Sequence, residues 1–224
     1  MKIILLRHEE RGFDVGFYSN LTENGIIKSC ILSDKLKKLK IDEIYCSPFI
    51  RTLQTIYPFA DKYNKKVNLE YGLYEYIHNP YFLFNEWYYT PDDIHDKDLQ
   101  SIINKEYTSS VTKDDFNFST RDSVSCEKLD SGRANAMKEF NFAQETESYV
   151  ALENEINLEK RIRKFFSNLK IIGETKTILI VTHKGIINKI KDLYFEKTDM
   201  DADFDMGEIF LMDIQLGDNQ VQET

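Results

Sequence analysis

The residues of this chain best suited to chemistry are two histidines and two arginines that follow predicted strands. Arg7 and His8 come directly after a run of branched aliphatic residues near the N-terminus, and His183 comes directly after the strongest such run. Arg51 comes shortly after another predicted strand and a Ser-Pro turn. In open α/β sheets, ligands bind where the strands end at their carboxyl termini. We therefore expect these four side chains to meet at one edge of a sheet.

Two guanidinium groups and two imidazoles beside helix N-termini would form a site for an anion, and phosphate is the natural ligand. Taken singly, a lone arginine is usually solvated and a lone histidine is often structural, so the prediction depends on the set. The chain has 38 acidic and 29 basic residues and a net charge of -9. This charge opposes nonspecific attraction to nucleic acid or to anionic lipid, so an anion would need a local basic pocket.

The elements that must position these residues alternate between strands and helices in the first third of the chain. Thr22 is placed to cap a helix, and Pro58 predicts a kink or break in the next helix. The apolar residues of the first helix recur at mostly helical spacing; they are Ile26, Ile27, Cys30, Ile31, Leu36 and Leu39. The predicted order is a strand at 2–6, the helix after Thr22, a strand at 42–46, a helix at 49–62 and a strand at 66–69.

The same alternation returns near the C-terminal end. An amphipathic helix is predicted over about 152–169, a strand at 177–181, a helix at 186–194 and a last strand at 208–214. Strands that alternate with helices at both ends indicate an α/β fold, with a mostly parallel central sheet and helices on both faces. The strand at 177–181 is the most apolar, which predicts a central position in that sheet.

Between about residues 76 and 146 the alternation is lost. Aromatic residues crowd together between Tyr81 and Tyr89, and a polar stretch follows. Long irregular segments in compact domains are usually lids or binding loops, or lack fixed structure. We expect a single domain over residues 1–224, with an irregular or helical insertion at about 76–146 that covers the C-terminal edge of the sheet as a lid.

Composition and residue spacing limit the expected cellular compartment of the protein and the kinds of site that it carries. The three cysteines are far apart, which favours a reducing compartment. No run reaches the roughly 20 apolar residues that span a bilayer, so we expect a cytoplasmic protein and no membrane partner. The histidines show neither HxH nor HExxH spacing, which argues against a dedicated metal site; they are His8, His78, His95 and His183.

Four short sequence blocks occur along the chain: Leu-Arg-His-Glu-Glu at 6–10, Leu-Thr-Glu-Asn-Gly at 21–25, Ser-Pro-Phe-Ile-Arg-Thr-Leu-Gln-Thr at 47–55 and Val-Thr-His-Lys-Gly at 181–185. Their order and content resemble the histidine phosphatase (phosphoglycerate mutase-like) superfamily. Residues 6–10, Leu-Arg-His-Glu-Glu, resemble its Arg-His-Gly-Glu signature, and residues 21–25 resemble its Leu-Thr-x-x-Gly helix start. Residues 47–55 are similar to its Ser-Pro-x-x-Arg-x-x-Gln-Thr block, which is the most specific of the four. Residues 181–185 match three places of its Val-Ser-His-Gly-Gly block.

The resemblance implies a role for each matching residue. His8 would be the nucleophile that takes the phosphoryl group, and Arg7, Arg51 and His183 would hold its oxygens. Glu75 lies in a segment that resembles the family's Leu-x-Glu and would be the general acid. Two alternatives remain for the general acid. Glu75 is a solvated loop residue with no catalytic role, or an acidic residue of the insertion donates the proton in its place. No metal and no cofactor is implied.

Two positions depart from the family pattern. Glu9 and Lys184 both stand where the family commonly has glycine. Glu9 would either narrow the pocket and add a negative charge beside the phosphate, or point away from it. Lys184 would either bind a second anionic group or be solvated.

These observations predict a metal-independent phosphatase that hydrolyses a phosphomonoester through a phosphohistidine on His8. The substrate would be a small-molecule or peptide phosphomonoester, and the aromatic cluster could stack on a flat one. One alternative is a mutase of the phosphoglycerate type, which would return the phosphoryl group to a bound acceptor. The other alternative, suggested by Glu9, is a catalytically inactive scaffold that binds phosphate. The sequence does not indicate an oligomeric state.

Overall fold

The structure is a computed structural model that describes residues 1–13, 16–76, 90–112, 115–116, 119–120, 151–172, 175–194 and 205–213. The strands of this part are β1 (Lys2–Arg7), β2 (Glu43–Cys46), β3 (Val67–Leu69), β4 (Ser119–Thr120), β5 (Ala151–Leu152), β6 (Thr177–Thr182) and β7 (Ile209–Asp213). Its α-helices are α1 (Glu23–Lys37), α2 (Ile50–Lys62), α3 (Lys97–Ile102), α4 (Glu155–Ile172) and α5 (Lys184–Tyr194). Single 3-10 turns occur at Tyr71–Leu73 and Pro91–Asp93.

The main sheet contains, within the described residues, five strands in the order β3-β2-β6-β1-β7. Strands β3, β2, β6 and β1 are parallel to one another, and β7 is antiparallel to β1. The strand β6 lies between β2 and β1, with Leu5 of β1 opposite Ile180. The predicted α/β class, with its mostly parallel sheet, is therefore confirmed.

Each face of the sheet is covered by helices, because successive side chains of a strand point to opposite faces. On one face, Ile4 and Leu6 of β1 join a buried cluster with residues of α1, α2 and α3. On the other face, Ile3 and Leu5 join a cluster with residues of α4 and α5. The sheet is thus buried on both faces, and the candidate site residues follow the ends of its strands.

The helix α1 begins at the predicted cap, where the Thr22 hydroxyl accepts a hydrogen bond from the backbone N–H of Gly25. Its isoleucines, however, do not face the core: Ile26, Ile27 and Ile31 are about half exposed. The buried face of α1 instead carries mainly small residues, together with Leu32 and Leu36. A Cβ atom at Gly25 would lie 2.2 Å from the Glu10 carbonyl oxygen, so this close approach requires glycine.

The helix α2 runs without interruption through Pro58 to Lys62. Its apolar residues Leu53, Ile56 and Phe59 are almost fully buried. Burial of this face offsets the backbone hydrogen bond that proline cannot donate. The sequence predicted a kink or a break at Pro58, and the helix is not broken there.

The described part of the predicted insertion packs beside the edge strand β3. Ile103 forms an isolated parallel bridge with Val67, and Leu99 and Ile102 of α3 belong to the same buried cluster as α2. The predicted lid and the aromatic cluster from Tyr81 to Tyr89 lie outside the described residues. No helix of the described ranges is long and apolar enough to cross a membrane.

Candidate active site

The carboxyl ends of three neighbouring strands are held in register by backbone hydrogen bonds. The N–H of His8 donates to the carbonyl of Thr182, over 3.0 Å, and the N–H of Ser47 donates to the carbonyl of Val181, over 2.9 Å. These bonds align the residues that follow β1, β6 and β2. Side chains from distant parts of the sequence therefore meet at one edge, as expected for a parallel sheet.

Four of the five predicted site residues form one cluster of contacts. The rings of His8 and His183 lie edge to face, with their centroids 5.3 Å apart. A Glu75 carboxylate oxygen lies 3.1 Å from Nδ1 of His183 and 3.4 Å from Nη2 of Arg51. The Arg51 nitrogen also lies 3.3 Å from Nδ1 of His183. His8, Arg51 and His183 are almost fully buried, whereas the Glu75 side chain is 18% exposed.

The imidazole of His8 is oriented by its own backbone. Its Nδ1 lies 2.7 Å from the carbonyl oxygen of Glu9, and because a carbonyl only accepts, Nδ1 carries the proton. The unprotonated nitrogen is then Nε2. Burial, followed by the charges of His183 and Arg51, holds the pKa of His8 well below its ordinary value. The ring is therefore neutral near pH 7, and Nε2 has a lone pair for nucleophilic attack.

His183 bridges a hydroxyl and a carboxylate. Because Glu75 can only accept when ionised, Nδ1–H of His183 donates to it, and Nε2 accepts from the Ser47 hydroxyl at 2.9 Å. Burial lowers the pKa of His183 to about 4, although Glu75 acts in the opposite direction. At neutral pH this ring is an oriented, uncharged hydrogen-bonding group.

Arg51 supplies a buried positive charge. Burial lowers the pKa of its guanidinium to about 10, which still leaves the group charged at neutral pH. The guanidinium lies over the Phe49 ring at 4.3 Å, and Nη1 donates to the carbonyl of Gly16. Its Nε is buried and has no hydrogen-bond partner among the residues that the structure describes. A bound oxyanion would supply an acceptor for a group that is costly to leave unpaired.

Glu75 is ionised in this arrangement. Burial by itself would raise the pKa of the carboxyl, but the neighbouring His183 and Arg51 outweigh it and hold that pKa well below its ordinary value. The carboxylate therefore opposes the positive charge of Arg51 until another anion enters.

Arg7 and Lys184 lie at the rim of the same edge. Arg7 is the last residue of β1, opposite Thr182, and is half-buried. Lys184 is the first residue of α5 and is also half-buried. The helices α2 and α5 both begin at this edge, and helix N-termini favour anions.

The Glu9 carboxylate lies against the loop that precedes β7. A Cβ atom on Gly207, which has φ +74°, would lie within 2 Å of a Glu9 carboxylate oxygen. Burial raises the pKa of Glu9, and the charges that act on it most are Lys28, Lys35 and Glu10 rather than the arginines of the cluster. The structure therefore favours the interpretation in which Glu9 points away from the phosphate pocket.

One set of described residues has the donor atoms for a metal ion. The ligand atoms of His8, Glu75 and His183 all lie within 4.8 Å of one another. Arg51, however, lies within 3.4 Å of both Glu75 and His183. A fixed guanidinium at that distance opposes a divalent cation and favours an anion.

Three positioning residues were not predicted from the sequence. Ser47 fixes His183, and the Thr55 hydroxyl accepts from the backbone N–H of Glu9, next to His8. Both lie in the block at 47–55, so the motif contained their signal. Arg161 donates to the backbone around Glu75 from α4. Its signal was a charged residue on the apolar face of that helix, next to Ile162.

Comparison with known proteins identifies the type of fold. Residues 3–81 match the sequence model of the histidine phosphatase superfamily (branch 1). Solved structures that span nearly the whole chain have the same fold. The chain has a histidine phosphatase fold. The matched residues contain the first three of the four sequence blocks, and the resemblance to the superfamily is confirmed there.

The similar structures share this histidine phosphatase fold at low sequence identity. The ecdysone phosphate phosphatase of Bombix mori, in complex with tungstate, has a TM-score of 0.59 and 13% identity, over 94% of this chain and 88% of that one. A putative alpha-ribazole-5'-P phosphatase of Escherichia coli has a TM-score of 0.57 and 20% identity, over 96% and 92%. A mutant phosphoserine phosphatase of Entamoeba histolytica, in complex with phosphoserine, has a TM-score of 0.52 and 21% identity, over 94% and 89%. A search of curated protein sequences gives no match.

Proposed function

We propose that this chain is a phosphatase that hydrolyses a phosphomonoester through a phosphohistidine on His8, without a metal ion. The observation that carries the proposal is the neutral His8 ring, whose Nε2 lies in a cluster with Arg51, His183 and Glu75. Arg7, Arg51 and His183 would hold the phosphoryl oxygens. Their fixed positive charge and hydrogen-bonding groups would oppose the charge of the transferring group, which is the main source of catalysis in phosphoryl transfer.

In the first step, Nε2 of His8 attacks phosphorus, and the bond between phosphorus and the ester oxygen breaks. The departing oxygen takes a proton from Glu75. A bound phosphate dianion competes with Glu75 for Arg51 and repels the carboxylate, so binding raises the pKa of Glu75 and lets it carry that proton. Glu75 is therefore ionised in the empty site and protonated when the phosphate ester is bound.

In the second step, water attacks the phosphoryl group on His8. The Glu75 carboxylate, now ionised, takes a proton from this water, and the bond between Nε2 and phosphorus breaks. Phosphate leaves, and the neutral His8 ring is restored. Atoms balance over the two steps, because one ester and one water give one alcohol and one phosphate.

The similar structures support a phosphomonoester as the substrate class. Their names give ecdysone phosphate, alpha-ribazole-5'-P and phosphoserine, which share the phosphate ester and differ in the alcohol. We propose a small-molecule or peptide phosphomonoester for this chain. Glu9 does not favour the inactive scaffold, since its carboxylate lies against Gly207.

The proposal is tested with a panel of phosphate esters, assayed with a chelator present and with His8→Ala as the control. We expect phosphate release by the wild type, undiminished by the chelator, and none above background by the variant. Equal inactivity of both proteins, with phosphate still bound, would favour a scaffold. Isomerisation of a phosphorylated acid without phosphate release would favour a mutase.

A further inference from the structure

The segment that carries Glu75 is tied to the fold by side chains from two elements. The Thr182 hydroxyl donates to the carbonyl of Leu73, over 2.8 Å, and Thr182 directly precedes His183. From α4, Arg161 donates from Nη1 to the carbonyl of Gly72, over 2.7 Å, and from Nη2 to the carbonyl of Glu75, at 3.5 Å. The backbone on either side of Glu75 is therefore fixed relative to the strand of His183.

Arg161 is itself held by a buried carboxylate. Its Nε and Nη2 donate to the two oxygens of Glu153, over 2.6 and 2.8 Å, and both side chains are almost completely buried. One planar guanidinium thus serves a carboxylate on one side and two backbone carbonyls on the other. A lysine has neither the fork nor the reach to make this set of bonds.

Stability alone is a poor explanation for this pair. Two charges lose their hydration on burial, and well-packed apolar residues often replace such a pair with no loss of stability. What apolar residues cannot supply is directed hydrogen bonding to the carbonyls of Gly72 and Glu75.

We propose that Arg161, oriented by Glu153, is the positioning residue that holds Glu75 at the reacting oxygen. The inference rests on the proposed function, since it assigns a role in proton donation by Glu75. Glu153 lies between β5 and α4, so this pair of side chains links these two elements to the segment of Glu75.

The test removes both charges together, with Arg161→Met and Glu153→Leu in one protein, so that no buried charge is left unpaired. Two esters are compared: one with a poor leaving group that needs a proton, and one with an activated phenol that leaves without a proton. We expect kcat/KM for the poor leaving group to fall about 10- to 100-fold. For the activated ester, we expect a change of less than about threefold, because nucleophilic attack by His8 does not need the acid.

Arg161→Lys is the second variant, in case the double variant does not fold. It keeps a positive charge beside Glu153 and loses the fork, so the same selective loss is expected, with a narrowed pH range for the poor leaving group. Arg163→Met is the matched control. Arg163 lies on the same helix, is half exposed and pairs with Glu159, so both rates should stay unchanged.

Three outcomes would overturn the inference. Equal losses on both esters would mean that the pair supports the whole fold, and no loss on either ester in a folded variant would mean that Glu75 is positioned without it. Failure of the wild type to hydrolyse the activated ester would refute the proposed function and this inference with it. The first two outcomes, with a wild type that is active on both esters, would refute the inference alone.

Discussion

Two carboxylates in the segment after β3 differ in what surrounds them. Glu70 is fully buried, and its oxygens accept from the N–H of Gly72, from the hydroxyl of Tyr107 and from side chains or backbone of Ser109 and Ser110. Glu75 is partly exposed, and its neighbours are His183, Arg51 and the His8 ring. These hydrogen bonds of Glu70 all come from uncharged donors. Glu75 instead lies beside a buried guanidinium and two imidazole rings.

The difference separates a structural carboxylate from a reactive one. The donors of Glu70 come mostly from the insertion, so this side chain ties residues 107–110 to the end of β3. A buried carboxylate whose hydrogen bonds are complete fixes the position of the groups that donate to it. The carboxylate of Glu75 is balanced by Arg51 and His183 only until an anion competes for them, and that competition gives it a function.

The largest expected effect is on catalysis, when Glu75 becomes glutamine. Glu75→Gln keeps the shape of the side chain and removes its proton chemistry. We expect kcat/KM for an ester with a poor leaving group to fall about 10²- to 10⁴-fold. The melting temperature should fall as well, because the buried Arg51 loses its charged partner. Steady-state kinetics and thermal unfolding check this result. A variant with full activity would remove Glu75 from the mechanism.

The reciprocal change should affect stability instead. Glu70→Ala leaves its donors without an acceptor, and we expect a loss of about 3–5 kcal/mol in the free energy of unfolding. Denaturant unfolding measures this loss, with the exposed Glu106→Ala as the control. An unchanged unfolding free energy would contradict the structural role that we assign to Glu70.

We expect acid to lower the free energy of unfolding, because His183 binds a proton less readily in the folded chain than in the unfolded chain. The pKa of His183 is about 4 in the folded chain, against an ordinary value of 6.5, so the unfolded chain binds this proton first as the pH falls. The contribution of the neutral His183 to the free energy of unfolding is complete above pH 6.5. About 3 kcal/mol of this contribution is lost as the pH falls to about 4. Glu75, whose folded pKa is also lowered, adds a loss of the same sign at still lower pH.

Unfolding free energies at pH 7 and pH 4 measure this effect. His183→Gln should show a smaller drop over that window, because the variant has no imidazole to protonate. An equal drop in the wild type and the variant would assign the acid sensitivity to other groups.

The smallest expected effect comes from removing a single donor of Glu70. Tyr107→Phe loses the hydroxyl that lies 2.5 Å from Glu70 and should cost about 1–2 kcal/mol, with kcat/KM unaltered. Paired unfolding and activity measurements check both expectations. A loss of activity larger than the loss of folded protein would mean that the two carboxylates are coupled.

The sequence predicted which side chains lie together at the strand ends better than it predicted the packing. His8 and His183 follow strongly apolar strands, and the strand-end rule together with the motifs was enough to bring them together with Arg51 and Glu75. The apolar spacing predicted the helix α1 but did not mark its buried face, because Ile26 and Ile27 are exposed. Hydrophobic spacing does not record that α1 lies close to α2, where small side chains fit better than isoleucine.

Arg161 shows a second limit of sequence patterns. A charged residue on an apolar helix face can be solvated at an edge or buried with a partner, and the partner, Glu153, is known only from the structure. The bonds of Arg161 to Gly72 and Glu75 join distant parts of the chain, and local spacing gives no sign of them.

The central claim is that the phosphoryl group passes through His8. It is tested most directly by rapid quenching of the enzyme with a phosphate ester, followed by digestion under alkaline conditions and mass spectrometry of the peptides. The account predicts an acid-labile phosphoryl group on the His8 imidazole, formed within the first turnover and absent from His8→Ala. Release of phosphate by the wild type with no phosphoryl group on His8, or with one on another residue, would contradict it.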